Sequence, residues 1–66
     1  MQNTIKIERA KKNITQSELA KVLNVSRLTV HSIEVGKFNP SVIIALKMAR
    51  YFNIAVDELF MLEETD

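Results

Sequence analysis

Few residues in this sequence can do covalent chemistry. His31 is the only histidine, Gly36 the only glycine, and cysteine is absent. A nucleophile with its base, a zinc ligand set and a glycine-rich phosphate loop are therefore all missing, so the expectation is a protein with no catalytic, metal or cofactor site. What the side chains can do is bind anions. The formal net charge is only +1, but it is unevenly spread. From Met1 to Pro40 seven Lys or Arg stand against three Glu, an excess of +4; from Ser41 onward Lys47 and Arg50 face Asp57, Glu58, Glu63, Glu64 and Asp66, an excess of −3. One part of the molecule can thus face a polyanion while the other is turned away from it.

The elements that must position those charges are short helices. Apolar residues make up 47% of the chain against one Gly and one Pro, a balance that suits compact helices. The pattern predicts a helix over about 5–12, with Ile5 and Ala10 among basic residues and Asn13 as a left-handed stop. A second begins at Thr15, where Glu18 completes a T-x-x-E capping box, and buries Leu19, Ala20, Val22 and Leu23. Asn24 and Val25 form a turn. Ser26 caps a third helix over Arg27–Val35, ended by Gly36. Lys37 to Pro40 reads as a loop, since Pro40 disfavours helical dihedrals before it and can itself open the fourth helix, about Ser41–Phe52, with Asn53 as its cap. A fifth, about Val56–Met61, carries Asp57 and Glu58 where they complement the helix dipole. No alternating run argues for a central sheet, so the fold class is all-α.

The charge pattern also argues against export and against a membrane span. Met1 to Ile14 is charged and has no apolar core, and Val42 to Val56 is broken by Lys47, Arg50 and Asn53, short of the roughly 18 apolar residues that span a bilayer. The expectation is a cytoplasmic protein with no membrane partner.

Gln16 to Val35, QSELAKVLNVSRLTVHSIEV, reads as helix, tight turn, helix. Ala20 lets the second helix cross closely, Asn24 tolerates positive φ at the bend, and Val30 and Ile33 are spaced to lock onto Leu19, Ala20 and Leu23. The N-terminal half of the second helix is then left free to enter a major groove about 12 Å wide. Here the sequence resembles the Cro/C1-type, or xenobiotic-response-element, family of phage and bacterial repressors. The resemblance covers nearly the whole chain: Arg9, T-Q-S-E-L-A (15–20), V-S-R-L-T-V (25–30), I-E-V-G-K (33–37), N-P-S (39–41), K-M-A (47–49) and D-E-L-F (57–60). It implies a compact five-helix lambda-repressor-like fold in which residues 1–66 form one DNA-binding domain.

Position by position, the resemblance implies that Arg27, Leu28, His31 and Ser32 lie at base edges. It places Gln16, Thr29, Lys37 and Asn39 at phosphates, and makes Arg9 and Glu34 a partly buried ion pair. Three positions depart from the pattern. Val35 replaces a polar residue near phosphate; Leu28 replaces a Gln or Ser, which favours contact with a thymine methyl; and Ala55 removes the cap of the fifth helix. Arg27 suits guanine O6 and N7 together, with phosphate contact or plain solvation as alternatives. His31 is open between base, phosphate and water, and lacks the partners for a metal role. Lys11, Lys12 and Lys21 add to the field as solvated charges.

The fourth helix is apolar on more than one side. Val42, Ala45, Met48, Ala49 and Phe52 meet the demand of a core. Ile44, Tyr51, Phe60 and Met61 exceed it, along with Ile43, Leu46 and Leu62, and are read as a homodimer interface, with a wider core as the alternative. A chain this short buries only about 60% of its unfolded surface, and with no disulfide to help, pairing is the remaining source of stability. The reading is a small homodimeric regulator, a repressor, that binds an inverted-repeat operator in duplex DNA. The alternative from another class is an antitoxin-like protein-interaction module. A non-specific architectural protein is disfavoured by a charge of only +1.

Overall fold

The computed structural model describes all 66 residues, and its architecture is governed by how its helices stop. In order the elements are β1 (Gln2–Asn3), α1 (Ile5–Lys12), α2 (Gln16–Leu23), α3 (Arg27–Glu34), α4 (Val42–Phe52), α5 (Val56–Leu59) and β2 (Phe60–Met61). α1, α2 and α4 each end at an asparagine in the left-handed region: Asn13 at φ 55°, Asn24 at 57° and Asn53 at 57°. In each case the following amide folds back five residues, Ile14 onto Arg9, Val25 onto Ala20 and Ile54 onto Ala49. That paired return is the Schellman arrangement, and the residue after the stop docks on the helix it closes. Ile14, Val25 and Ile54 all pack against the core.

α3 stops in the same way at Gly36, φ 83°, with the Lys37 amide returned to the Ser32 carbonyl at 2.9 Å. The residue that follows is here a lysine, not an aliphatic. The chain consequently leaves the core and runs out along the surface beside α3.

Helix starts are set by side-chain caps. Thr15 accepts from the Glu18 amide while Glu18 accepts from the Thr15 amide; Ser26 accepts from Thr29 and Ser41 from Ile44. Ser41 is therefore the cap of α4 and not its first residue, and Pro40 lies outside the helix. The core gathers Ile5 from α1, Leu19, Ala20 and Leu23 from α2, Val30 and Ile33 from α3, Met48, Ala49 and Phe52 from α4, and Leu59 and Phe60 from the last segment. No helix is long and apolar enough to cross a membrane.

Three expectations change. The last helix ends at Leu59 instead of Met61, because Phe60 turns extended at φ −123°, ψ 129°; at its start Ala55 provides no side-chain cap. Phe60 and Met61 then pair antiparallel with Asn3 and Gln2, a two-stranded ribbon that the sequence reading did not contain. Val22 and Val42, expected inside, are 49% and 75% exposed, since α2 and α4 turn narrower faces inward than their apolar content allows. The ribbon is tied down by the Thr4 amide on the Leu59 carbonyl. Beyond it the Met1 ammonium lies 3.0 Å from Asp66 and 3.2 Å from Glu63. Hydrogen bonding to Asp66, then to Glu63, raises the pKa of that amine.

The turn at Asn24 supplies the first test. Asn24→Gly should leave the urea midpoint nearly unchanged, while Asn24→Val should cost about 1–2 kcal/mol, because a branched Cβ resists left-handed dihedrals. Equal midpoints for all three proteins would show that the bend does not depend on positive φ.

Candidate nucleic-acid interface

The outer face of α3 is positioned by a single carboxylate. Glu34, at the helix end, accepts Arg9 Nε at 3.2 Å and Arg9 Nη2 at 2.8 Å, a bidentate pair, and also Gln16 Nε2 at 3.1 Å. Arg9 spends its remaining nitrogen on the Ile14 carbonyl at 3.0 Å. The two charged side chains are only 16% and 8% exposed, so the pair is largely shielded from water and joins α1, α2 and α3 at one point.

Gln16 is oriented by the same group. A carboxylate can only accept, so the amide nitrogen must face Glu34, and its second hydrogen reaches His31 Nδ1 at 3.3 Å. In the neutral imidazole Nδ1 is then the acceptor and Nε2 carries the proton. His31 thereby offers a donor from the exposed side of α3. Gln16 and His31, fifteen positions apart in sequence, are brought together here.

Arg27 and Leu28 project from the first turn of α3, Arg27 exposed and Leu28 68% exposed. That turn holds no acidic residue. Ser32 lies one turn further on and is half-buried. Thr29 is also half-buried, and its hydroxyl lies 2.8 Å from that of the cap Ser26. The Ser32 carbonyl accepts both the Lys37 amide and the Phe38 amide, at 2.9 and 3.2 Å. These two hydrogen bonds staple the loop to the middle of α3 and set exposed Lys37, Phe38 and Asn39 beside the helix.

Two residues here were not singled out from the sequence. Asn3 donates from Nδ2 to the Ile33 and Glu34 carbonyls at 3.1 and 3.3 Å, closing the C-terminal end of α3, while its Oδ1 accepts the Ile5 amide. Phe38 is 54% exposed next to Leu28. An aromatic residue directly after a basic loop residue was the available signal for the second; Asn3 left none, because its partners lie thirty positions away.

The four residues read as an interface fall differently. Phe60 is buried, 8% exposed, because β2 turns it into the core. Ile44 and Tyr51 are half-buried against the core, and Tyr51 also stacks edge-on with Phe52 at 5.3 Å and carries Lys12 over its ring at 4.9 Å. Met61 is half-buried in the ribbon. The apolar side chains of α4 that face outward are Val42, Ile43 and Leu46, 75%, 65% and 54% exposed, with Lys47 and Arg50 alongside the last two. No group of His, Asp or Glu is placed to hold a metal ion.

Two helices locked by a left-handed bend, with the second presenting an acid-free, donor-rich face, define a helix-turn-helix protein. A family profile described as helix-turn-helix matches residues 5–59. The chain belongs to the Cro/C1-type helix-turn-helix family of transcriptional regulators. It is 42% identical over 66 residues to an uncharacterized helix-turn-helix-type transcriptional regulator of Methanocaldococcus jannaschii, covering 100% of both chains. It is 46% identical to another in Archaeoglobus fulgidus, covering 100% of this chain and 93% of that one. Among solved structures it is similar to the restriction-modification controller protein C.AhdI from Aeromonas hydrophila, with a TM-score of 0.75, 32% identity and 85% of each chain covered.

The shielded pair can be weighed directly. Arg9→Ala or Glu34→Ala should each lower stability by about 3 kcal/mol, since either leaves a partly buried charge without its partner. Arg9→Met combined with Glu34→Leu should lose less than the two single effects added. Single losses below about 1 kcal/mol in urea titrations would mean that the pair behaves like an exposed one.

Proposed function

We propose that this chain is a cytoplasmic, sequence-specific DNA-binding repressor that acts as a homodimer on an inverted-repeat operator. The observation that carries this reading is the outer face of α3. Its first turn has no acid, its exposed side chains include the donors Arg27 and His31 and the apolar Leu28, and the Ser32 carbonyl fastens a basic loop beside it. An eight-residue helix is about 12 Å long, which suits a major groove about 12 Å wide. In this reading residues 1–66 act as one DNA-binding domain. Arg27, Leu28, His31 and Ser32 meet base edges, with His31 donating from Nε2. Lys37 and Asn39 meet phosphate, as do Thr29 and the start of α2 at Gln16, whose backbone amide is one of the orphan donors of a helix N-terminus. Occupying the operator excludes polymerase and requires no chemistry from the protein.

One recognition helix binds weakly, and two related by a two-fold axis reach successive grooves about 34 Å apart. The uncovered apolar residues of α4 supply the natural contact. Of the residues read as an interface, Ile43 and Leu46 keep this role while Ile44, Tyr51 and Phe60 leave it, because those three already serve the core of their own chain.

In vitro site selection followed by gel shifts tests the reading. The selected sites should be inverted repeats with half-sites one turn apart; failure to enrich any sequence would overturn it. Arg27→Ala should cost about 1–3 kcal/mol and relax one base position per half-site, whereas an equal loss on random DNA would make Arg27 a phosphate contact. Lys37→Ala should weaken binding to all sequences and lower the salt slope by about one per recognition helix. Leu46→Glu should sediment as a monomer with its helical spectrum intact and lose tight operator binding; a dimer that still binds would place the interface elsewhere.

A further inference from the structure

Beside the first turn of α3 lies a shallow cleft of about 240 Å³ lined by Leu28, Thr29, Ser32 and Phe38. Its walls are two large apolar side chains, Leu28 at 68% and Phe38 at 54% exposure, and Phe38 has no role so far. Neither belongs to the core, and neither is on the α4 face. Phe38 is not a loose side chain on a free loop: its amide is bonded to the Ser32 carbonyl at 3.2 Å, so its backbone is fixed relative to α3. Gly36, at φ 83°, closes α3, and Lys37 after it carries the chain outward to put Phe38 there.

The cleft is too small for an ordinary small-molecule ligand, whose pockets run from about 300 to 1,000 Å³. No charged side chain lines it, so it has nothing with which to bind a phosphate or an ionised group. Of its two hydroxyls, that of Thr29 is paired with Ser26 at 2.8 Å. The Ser32 hydroxyl is left, and a hydroxyl both donates and accepts, so it suits the O4 of a thymine and the N4 amine of a cytosine alike. Exposed cationic residues adjoin the apolar walls in sequence, Arg27 before Leu28 and Lys37 before Phe38, which favours a polyanion as the body that approaches. The apolar group that a polyanionic duplex presents in its major groove is the methyl on C5 of a pyrimidine.

We infer that Leu28 and Phe38 together form a reader of the pyrimidine C5 methyl group. The protein thus distinguishes thymine from uracil, and 5-methylcytosine from cytosine, at one position of each half-site. Operator affinity then rises when that cytosine is methylated. The inference rests on the DNA-binding reading above, and adds to it a residue, Phe38, and a sensitivity to cytosine methylation.

The test uses the full chain and the site obtained by selection, with each thymine replaced singly by deoxyuridine and each pyrimidine position built as cytosine or 5-methylcytosine opposite guanine. At one position per half-site the loss of the thymine methyl should weaken binding about fourfold, the value of one buried methyl group. At the same position 5-methylcytosine should bind about fourfold tighter than cytosine. In Phe38→Ala and in Leu28→Ala, both of which should retain the helical spectrum because the side chains are exposed, these ratios should fall toward one. A selected site at which uracil is neutral everywhere, or at which the ratios are unchanged in both variants, overturns the methyl reader and leaves DNA recognition standing. Should no site be selected at all, the DNA-binding reading itself fails. Loss of binding in Phe38→Ala that is equal for thymine and uracil sites would make Phe38 a backbone contact and also overturn the inference.

Discussion

The carboxylate of Glu34 is the point on which the arrangement depends. A single acceptor group at the end of α3 receives the fork of an arginine from α1 and the amide of a glutamine from the start of α2. Three helices are thereby tied together at one point, and the ring of His31 acquires a defined tautomer as a by-product. Apolar packing alone, among Leu19, Leu23, Val30 and Ile33, would allow small rotations of α3 about its axis. A bidentate pair held away from water is far less tolerant of them. Group orientation on the outer face follows from a contact made on the inner one.

The helix ends perform a complementary task. Four helices close with the same backbone arrangement, three at asparagine and one at glycine. After each asparagine an aliphatic residue returns the chain to the core, and after the glycine a lysine takes it away. One local rule thus yields two outcomes, decided by the polarity of the next side chain. The loop after α3 lies where it does because Lys37 has no reason to be buried.

Much of this was legible in the sequence, and the reasons differ by element. The T-x-x-E box, the cap at Ser26 and the asparagine stops are written within four or five residues of one another, so local chemistry decides them before tertiary contacts intervene. The partnership of Arg9 with Glu34 was reached through family resemblance, because nothing local joins positions 25 apart. The ribbon could not be read at all. Gln2, Asn3, Phe60 and Met61 carry weak strand signals, and their pairing exists because the folded helices bring the segments into register. The same limit explains α4. Its apolar residues cover more than one side, and composition cannot say that Ile44 and Tyr51 turn inward while Val42, Ile43 and Leu46 turn out.

Asn3 gives the ribbon a significance beyond its two residue pairs. The side chain that closes the end of α3 is carried on a strand, and that strand is held by another from the far end of the described chain. Closing so large a loop is entropically slower than forming the turns between neighbouring helices. The helix pair can therefore assemble from local contacts first, with the ribbon as a late-folding clasp. The clasp itself is small, two residue pairs beside the Thr4 amide, so its opening would free the last carbonyls of α3 and leave the contacts between α2 and α3 untouched.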